Sequence, residues 1–255
     1  MSSYLQFERT KWDQYFEQAL AGKGQEHDNS LWWKIPETDT LKIITDIIKT
    51  TTGISVLEAG CGSGRSSFLL ANNIPIKYLR LSDISENALK FAKKCQPIGF
   101  DGTVEYKKES SFNLNIQTGK FDLTWNIGVI EHYPLNELLS MINEMLRVTN
   151  IGGYVIVAIP NRNSIAVLKA WLLGTKFGRQ YFRFVSGYRF DTETLYGNNE
   201  LAYEIYKHFD LSAQIKFAGS LLWVSAPNWL VKLVNKYFPR SRFSFLTFFI
   251  MRKLK

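Results

Sequence analysis

Residues 56–65 read VLEAGCGSGR: an apolar strand runs into glycines 60, 62 and 64 and then into a helix. Glycine alone lets a chain turn this tightly and lets its backbone approach a ligand. The loop opens a helix whose unpaired N–H groups and positive dipole end favour a carboxylate or phosphate. Asp83 ends the next strand, 19 residues beyond Gly64. A carboxylate in that place can accept both hydroxyl hydrogens of a ribose. Strand, glycine loop, helix and acidic strand end together specify a ribose-bearing ligand.

The rest of the chain extends this unit. Segments Leu5–Leu20 and Thr38–Lys49 read as helices, the second with Leu41, Ile44, Ile47 and Ile48 on one face and Thr38 or Asp39 as its cap. Strands are expected at Ile54–Glu58, Ile76–Leu81, Thr103–Lys107, Phe121–Trp125, Tyr154–Ile159, Leu211–Phe217 and Phe243–Met251. Helices are expected at Arg65–Asn73, Ser85–Cys95, Leu135–Val148 and Asn199–Phe209. Strands separated by helices need crossover connections, which gives an α/β fold: a doubly wound, mostly parallel, seven-stranded Rossmann-like sheet. The chain reads as one domain, with N-terminal helices in 1–52, a ligand-binding core in 53–160, and insertions in 164–190 and 219–240 that cover one edge of the sheet.

Of 255 residues 45% are apolar, enough to bury a core and to exclude a disordered or disulfide-stapled chain. Cys61 and Cys95 form no zinc spacing, so no metal site is expected. The first residues lack a secretory pattern, and the longest apolar stretch, near Phe243 to Met251, falls far short of ~18 residues. A cytoplasmic protein is the expectation. Residues 1–161 carry 16 Lys and Arg against 18 Asp and Glu, whereas residues 162–255 carry 15 against 5 together with 20 of the 37 aromatic residues. That basic, aromatic third suits an anionic partner or lipid headgroups, or equally a solvated lysine face over an ordinary core.

A dinucleotide fingerprint, GxGxxG, wants a small third residue. Counted from Gly60 that place is Arg65, and counted from Gly62 it is Ser67, which makes nicotinamide binding the weaker reading. The chain resembles instead the class I S-adenosylmethionine-dependent methyltransferases over about residues 30–160. Glu58, Gly60, Gly62 and Gly64 match the E/DxGxGxG motif of that family, and Asp83 in LSDIS matches its second acidic residue. The strands in FDLTWNIGVIEHYP and VTNIGGYVIVAIPN match too, while ESSFNL departs from the pattern by placing Ser110 where an adenine-binding acid is usual. The resemblance implies S-adenosyl-L-methionine as the methyl donor. By it the three glycines pack against the methionine and ribose, and Glu58 lies near the donor's amino group. Asp83 holds the ribose hydroxyls, Ile84 and Phe112 flank the adenine, Ser110 stands at the adenine amino group, and Asn126 offers its main chain to the methionine end.

A sulfonium is already a strong methyl electrophile, so orientation supplies much of the rate. An oxygen or nitrogen nucleophile still has a proton to lose. His132, in the IEHYP turn at the C-terminal edge of the sheet, is the candidate catalytic base, ahead of Tyr133 and Arg162. NIGV stands where amide and adenine N-methyltransferases carry a D/N-PP-Y/F motif, and RNA-binding motifs are absent, so nucleic acid is not favoured as a partner. A small or amphipathic acceptor is expected. IEHYP followed by IPNRNSIAVLKAWLLG is also similar to the ubiquinone-biosynthesis O-methyltransferases, some of which hold a divalent metal with two glutamates and the histidine. Glu131 and His132 match those ligands, but Gly128 occupies the first glutamate's place. That likeness would put LKAWLLGTKFGRQYFRF and NWLVKLVNKYFPR at a membrane surface. A non-catalytic module that only binds the donor is the other alternative.

Overall fold

The computed structural model describes residues 3–23, 31–50, 52–176, 180, 193–222 and 226–255. Two helices, α1 (Ser3–Leu20) and α2 (Leu31–Ile47), precede an alternating core. It runs β1 (Ile54–Ala59), α3 (Arg65–Ala71), β2 (Ile76–Asp83), α4 (Glu86–Cys95), β3 (Thr103–Lys108), β4 (Phe121–Ile127), a 3-10 turn (Ile130–His132), α5 (Leu135–Val148) and β5 (Thr149–Pro160). The chain continues as α6 (Ile165–Gly174), α7 (Asn198–Phe209), β6 (Gln214–Ala218), α8 (Asn228–Tyr237) and β7 (Leu246–Arg252). The seven strands form one sheet in the order β3-β2-β1-β4-β5-β7-β6, all parallel except β7, which runs antiparallel to both neighbours.

Local chemistry places these elements. β1 is buried along its whole length, as a central strand covered on both faces must be. α4 starts at Ser85, whose hydroxyl accepts from the Ala88 N–H at 3.0 Å, carries Glu86 in its first turn, and ends on Lys93 and Lys94. α5 turns Leu138, Met141, Ile142 and Met145 inward onto β4 and β5. Most importantly, chain order reverses between β1 and β4, so the C-terminal ends of β1, β2 and β4 lie side by side with Glu58 opposite Leu81 on one flank and Trp125 on the other. Open α/β sheets bind ligands at such a reversal.

Two of the boundaries that differ from those the sequence suggests have a visible physical reason. α2 starts at Leu31, not Thr38, and accommodates Pro36 in its interior. Burial of Trp32 and Ile35, with the Trp32 indole N–H on the Leu222 carbonyl at 2.6 Å, offsets a cost of ~3 kcal/mol for an interior proline. Asp39 therefore does not cap the helix but accepts from the Gly219 N–H at 2.9 Å, tying α2 to the end of β6. β7 begins at Leu246, because the Phe243 side holds a turn in which the Asn161 amide donates to the Arg242 and Ser244 carbonyls. Of the 164–190 segment, α6 is helical, while residues 177–179 and 181–190 lie outside the described residues. In the 219–240 segment α8 packs on the α2 side through Val231 and Ile35.

Candidate functional site

The glycine loop follows β1 and needs backbone that other residues avoid. Gly60, Gly62 and Gly64 have φ of 74°, 50° and 64°. A Cβ on Gly60 would stand 2.8 Å from a Val129 methyl, and one on Gly64 2.7 Å from Leu81. The loop is pinned to β2: the Gly60 and Cys61 N–H groups donate to the Ser82 carbonyl, and the Gly62 N–H donates to Asp83 Oδ2 at 2.9 Å. The other Asp83 oxygen accepts from the Ser85 N–H at 2.9 Å. Burial pushes the Asp83 carboxyl up to about 6 against the pull of these backbone donors. Glu58, almost wholly buried, accepts from the Ser67 hydroxyl at 2.7 Å and is pushed up to about 8 by burial, with the Asp83 charge adding to it.

These groups open into a cavity of about 1100 Å³ above the β1, β2 and β4 ends. Glu58, Gly60, Gly62, Asp83, Ile84, Ser110, Phe112 and His132 all line it. Gly64 and Asn126 are not among the lining residues. Gly64 packs under the loop against Leu81 and Phe68, and the Asn126 amide faces the sulfurs of Met141 and Met145 at 3.7 Å, on the α5 side of β4. Ile127, Gly128 and Val129 form the β4 edge of the cavity in its place. Cys61 also lines the cavity, but burial raises its thiol well above its ordinary value, leaving it protonated.

The N-terminal helices supply the roof. Trp12, Tyr15 and Phe16 of α1 and Trp32 and Trp33 of α2 line the same space, with a Phe16 ring atom 3.2 Å from where a Gly62 Cβ would be. Asp13 holds α1 in place: one of its oxygens accepts from the Ser85 hydroxyl at 2.5 Å and the Asn87 N–H at 3.3 Å. Sequence reading assigned α1 no part in the site. The alternation of Trp12, Tyr15 and Phe16 with charges in a helix of low apolarity was the available signal.

Opposite the glycine loop the wall is acidic and aromatic. The Trp12 ring stands edge-on to His132 at 5.7 Å between centroids, and the Trp12 N–H donates to Glu8 Oε2 at 3.0 Å. Glu131, 2% exposed, is pushed up to about 8 by burial and by the nearby Glu193 charge. Phe112 packs edge-on against Tyr133 at 5.0 Å. Among the described residues no three His, Cys, Asp or Glu side chains gather as a metal site.

Residues 56–153 match the family model described as a methyltransferase domain. The 2-methyl-6-phytyl-1,4-hydroquinone methyltransferase of Synechocystis is 31% identical over 106 residues, 42% of this chain and 32% of that one. The demethylmenaquinone methyltransferase of Lactococcus lactis is 27% identical over 147 residues, 57% of this chain and 53% of the relative. The chain thus spans a third to about half the length of these curated relatives. Among solved structures, the magnesium protoporphyrin IX methyltransferase of Synechocystis with bound SAH superposes with a TM-score of 0.63 at 16% identity, covering 98% of this chain and 100% of that one.

Proposed function

We propose that this chain, which has the class I methyltransferase fold and whose residues 56–153 match the methyltransferase-domain model, is an enzyme that moves the methyl group of S-adenosylmethionine to an oxygen or nitrogen of a small or amphipathic acceptor. The observation that carries this reading is the single cavity joining the glycine loop and Asp83 to His132. Its volume, about 1100 Å³, exceeds the usual ~300–1,000 Å³ of a one-ligand site and suits a donor with an acceptor beside it.

The lining residues fit the donor. Asp83 keeps a lone pair on each oxygen for the ribose hydroxyls. Ile84 and Phe112 offer apolar faces to the adenine and Ser110 a hydroxyl to its amino group. Glu58 faces the methionine amino end, where the Ile127 and Gly128 backbone takes the place expected of Asn126. When bound, the donor supplies an activated methyl group. The chain's own contributions are to orient the acceptor, exclude water under the α1 roof, and receive the acceptor's proton at the His132 ring.

Melting temperature tests the reading. A ligand that binds only the folded chain at 100 times its Kd adds ~2.7 kcal/mol. S-adenosylhomocysteine is expected to raise the midpoint by several degrees and NAD to leave it unchanged. No shift with the former, or a shift with NAD alone, overturns the proposal. A donor-only module would show the shift yet turn over no acceptor.

A lipid- or quinone-type acceptor taken from a membrane surface is a second reading, favoured by one observation. Leu168, Trp171 and Leu172 are exposed on α6, and Trp229, Leu233 and Tyr237 are exposed on α8, which also carries Lys232 and Lys236. No described helix is long and apolar enough to cross a membrane, so contact would be peripheral. Co-sedimentation with anionic vesicles, weakening with salt, is the expected result; no binding at low salt removes this reading.

A further inference from the structure

Two carboxylates in the cavity have an oxygen that nothing answers. Glu8 is 1% exposed and Glu131 2%, and Glu8 Oε1 and Glu131 Oε2 have no hydrogen-bond partner among the described residues. Both residues line the cavity. They bracket one aromatic patch: Glu8 is bonded to the Trp12 indole, Trp12 touches the His132 ring, and Glu131 precedes His132, its Oε1 3.7 Å from where a Cβ on Gly128 would stand. A buried carboxyl oxygen without a partner is costly whether its group is charged or holds a proton, and two such oxygens around one patch exceed what the fold requires.

The lining of the cavity points the same way. Among the described residues Glu8, Glu37, Glu58, Asp83 and Glu131 supply acidic side chains to it, beside Lys11 and Arg65. Arg65 is engaged by Glu37 at 2.9 Å, and Lys11 reaches the other oxygen of Glu8 at 3.9 Å. The chain as a whole is at +8, so this acidic interior runs against its own surface. A methyl donor with a sulfonium, an ammonium and one carboxylate would offset a single negative charge, and it lies toward Glu58 and Asp83. The Glu8 and Glu131 end is left over. The Lys11 ammonium sits 4.9 Å from the Trp12 ring centroid, so this patch already takes a cation against its aromatic face. The described residues gather no three-ligand metal set there, which leaves an organic cation as the fitting occupant.

We propose that the acceptor is an amine, held as its ammonium between Glu8 and Glu131 against the Trp12 ring. This deepens the methyltransferase reading and rests on it. If the same nitrogen is methylated, the ammonium first gives a proton to the His132 ring. Its freed lone pair then forms the C–N bond as the donor's C–S bond breaks, with that pair left on sulfur.

The test uses the full chain saturated with S-adenosylhomocysteine and two soluble probes of the same shape, 2-phenylethylamine, cationic at pH 7.5, and neutral 2-phenylethanol. Calorimetry is expected to show the amine binding at least tenfold more tightly. Glu8→Gln and Glu131→Gln keep the side-chain shape, and each is expected to shrink that preference below about threefold, with continued S-adenosylhomocysteine binding showing that the variants are folded. Equal or undetectable binding of both probes by the native chain overturns the amine assignment, as does a preference that survives in both variants. The native chain's ratio decides even where a variant does not fold. Failure of S-adenosylhomocysteine itself to bind would instead strike the methyltransferase reading.

Discussion

Asp83 accepts the Gly62 N–H at 2.9 Å, so the acidic end of β2 fastens the glycine loop of β1 from the side. The same carboxylate that is placed for a ribose thus also sets the loop. Asp83→Asn keeps the shape but turns an amide N–H toward the Gly62 or Ser85 donor. Loss of a charge-assisted pair costs on the order of 1.5–3 kcal/mol. S-adenosylhomocysteine affinity by calorimetry is expected to fall about tenfold to a hundredfold; an unchanged Kd would remove Asp83 from the donor site.

The tight fit of the loop against β4 separates two glycines that share a backbone conformation. Gly60 has φ 74° and a Cβ there would meet Val129 at 2.8 Å, whereas Gly152 has φ 83° with nothing within 4 Å. Left-handed backbone alone costs an alanine ~1–2 kcal/mol. Gly152→Ala is expected to lose about that much in urea unfolding. Gly60→Ala adds overpacking and is expected to lose roughly 1–3 kcal/mol more. Equal losses would mean that Val129 yields freely.

Much of the sheet was legible because its strands are apolar and its helices periodic: the α5 limits, Leu135 and Val148, agree with the sequence reading, and the crossovers force the parallel order. The α2 start was not legible, since Thr38 and Asp39 read as caps while the hydrogen bond that helps hold the earlier turn joins Trp32 to the Leu222 carbonyl, 190 residues away. The glycine loop and Asp83 were visible because local backbone requirements fix residue type. The α1 roof and the Glu8 oxygen were not, because their role exists only once α1 has packed across α4, a contact that Asp13 makes with Ser85 some 72 positions on.

Asn126 shows the same limit from the other side. Its position in β4 matches the motif, yet its side chain points at two methionine sulfurs, and its Oδ1 has no partner among the described residues. Removing a buried, half-answered amide in favour of an apolar group of similar shape is close to neutral or stabilising. Asn126→Leu is therefore expected to keep stability within ~1 kcal/mol and to keep S-adenosylhomocysteine binding. A tenfold loss of affinity would show that the side chain, and not only the main chain expected to face the methionine end, serves the donor.

Glu131 makes the stability of the ligand-free chain depend on pH in a definite direction. Its folded value is about 8 against an ordinary 4.5, because burial disfavours the charge and Glu193 adds to that. Between those values the folded chain holds a proton that the unfolded chain has released, so stability falls as pH rises. The contribution is complete below about pH 4.5 and gone above about pH 8. Glu58, also raised to about 8, and Asp83, raised to about 6, act in the same sense over their own windows. The melting temperature is expected to decline from pH 5.5 to 8.5. Glu131→Gln has no proton to lose and is expected to flatten part of that decline, with its largest gain over the native chain at the alkaline end. Parallel curves for the two proteins would show that Glu131 is charged and satisfied in the folded chain, contrary to the burial that surrounds it.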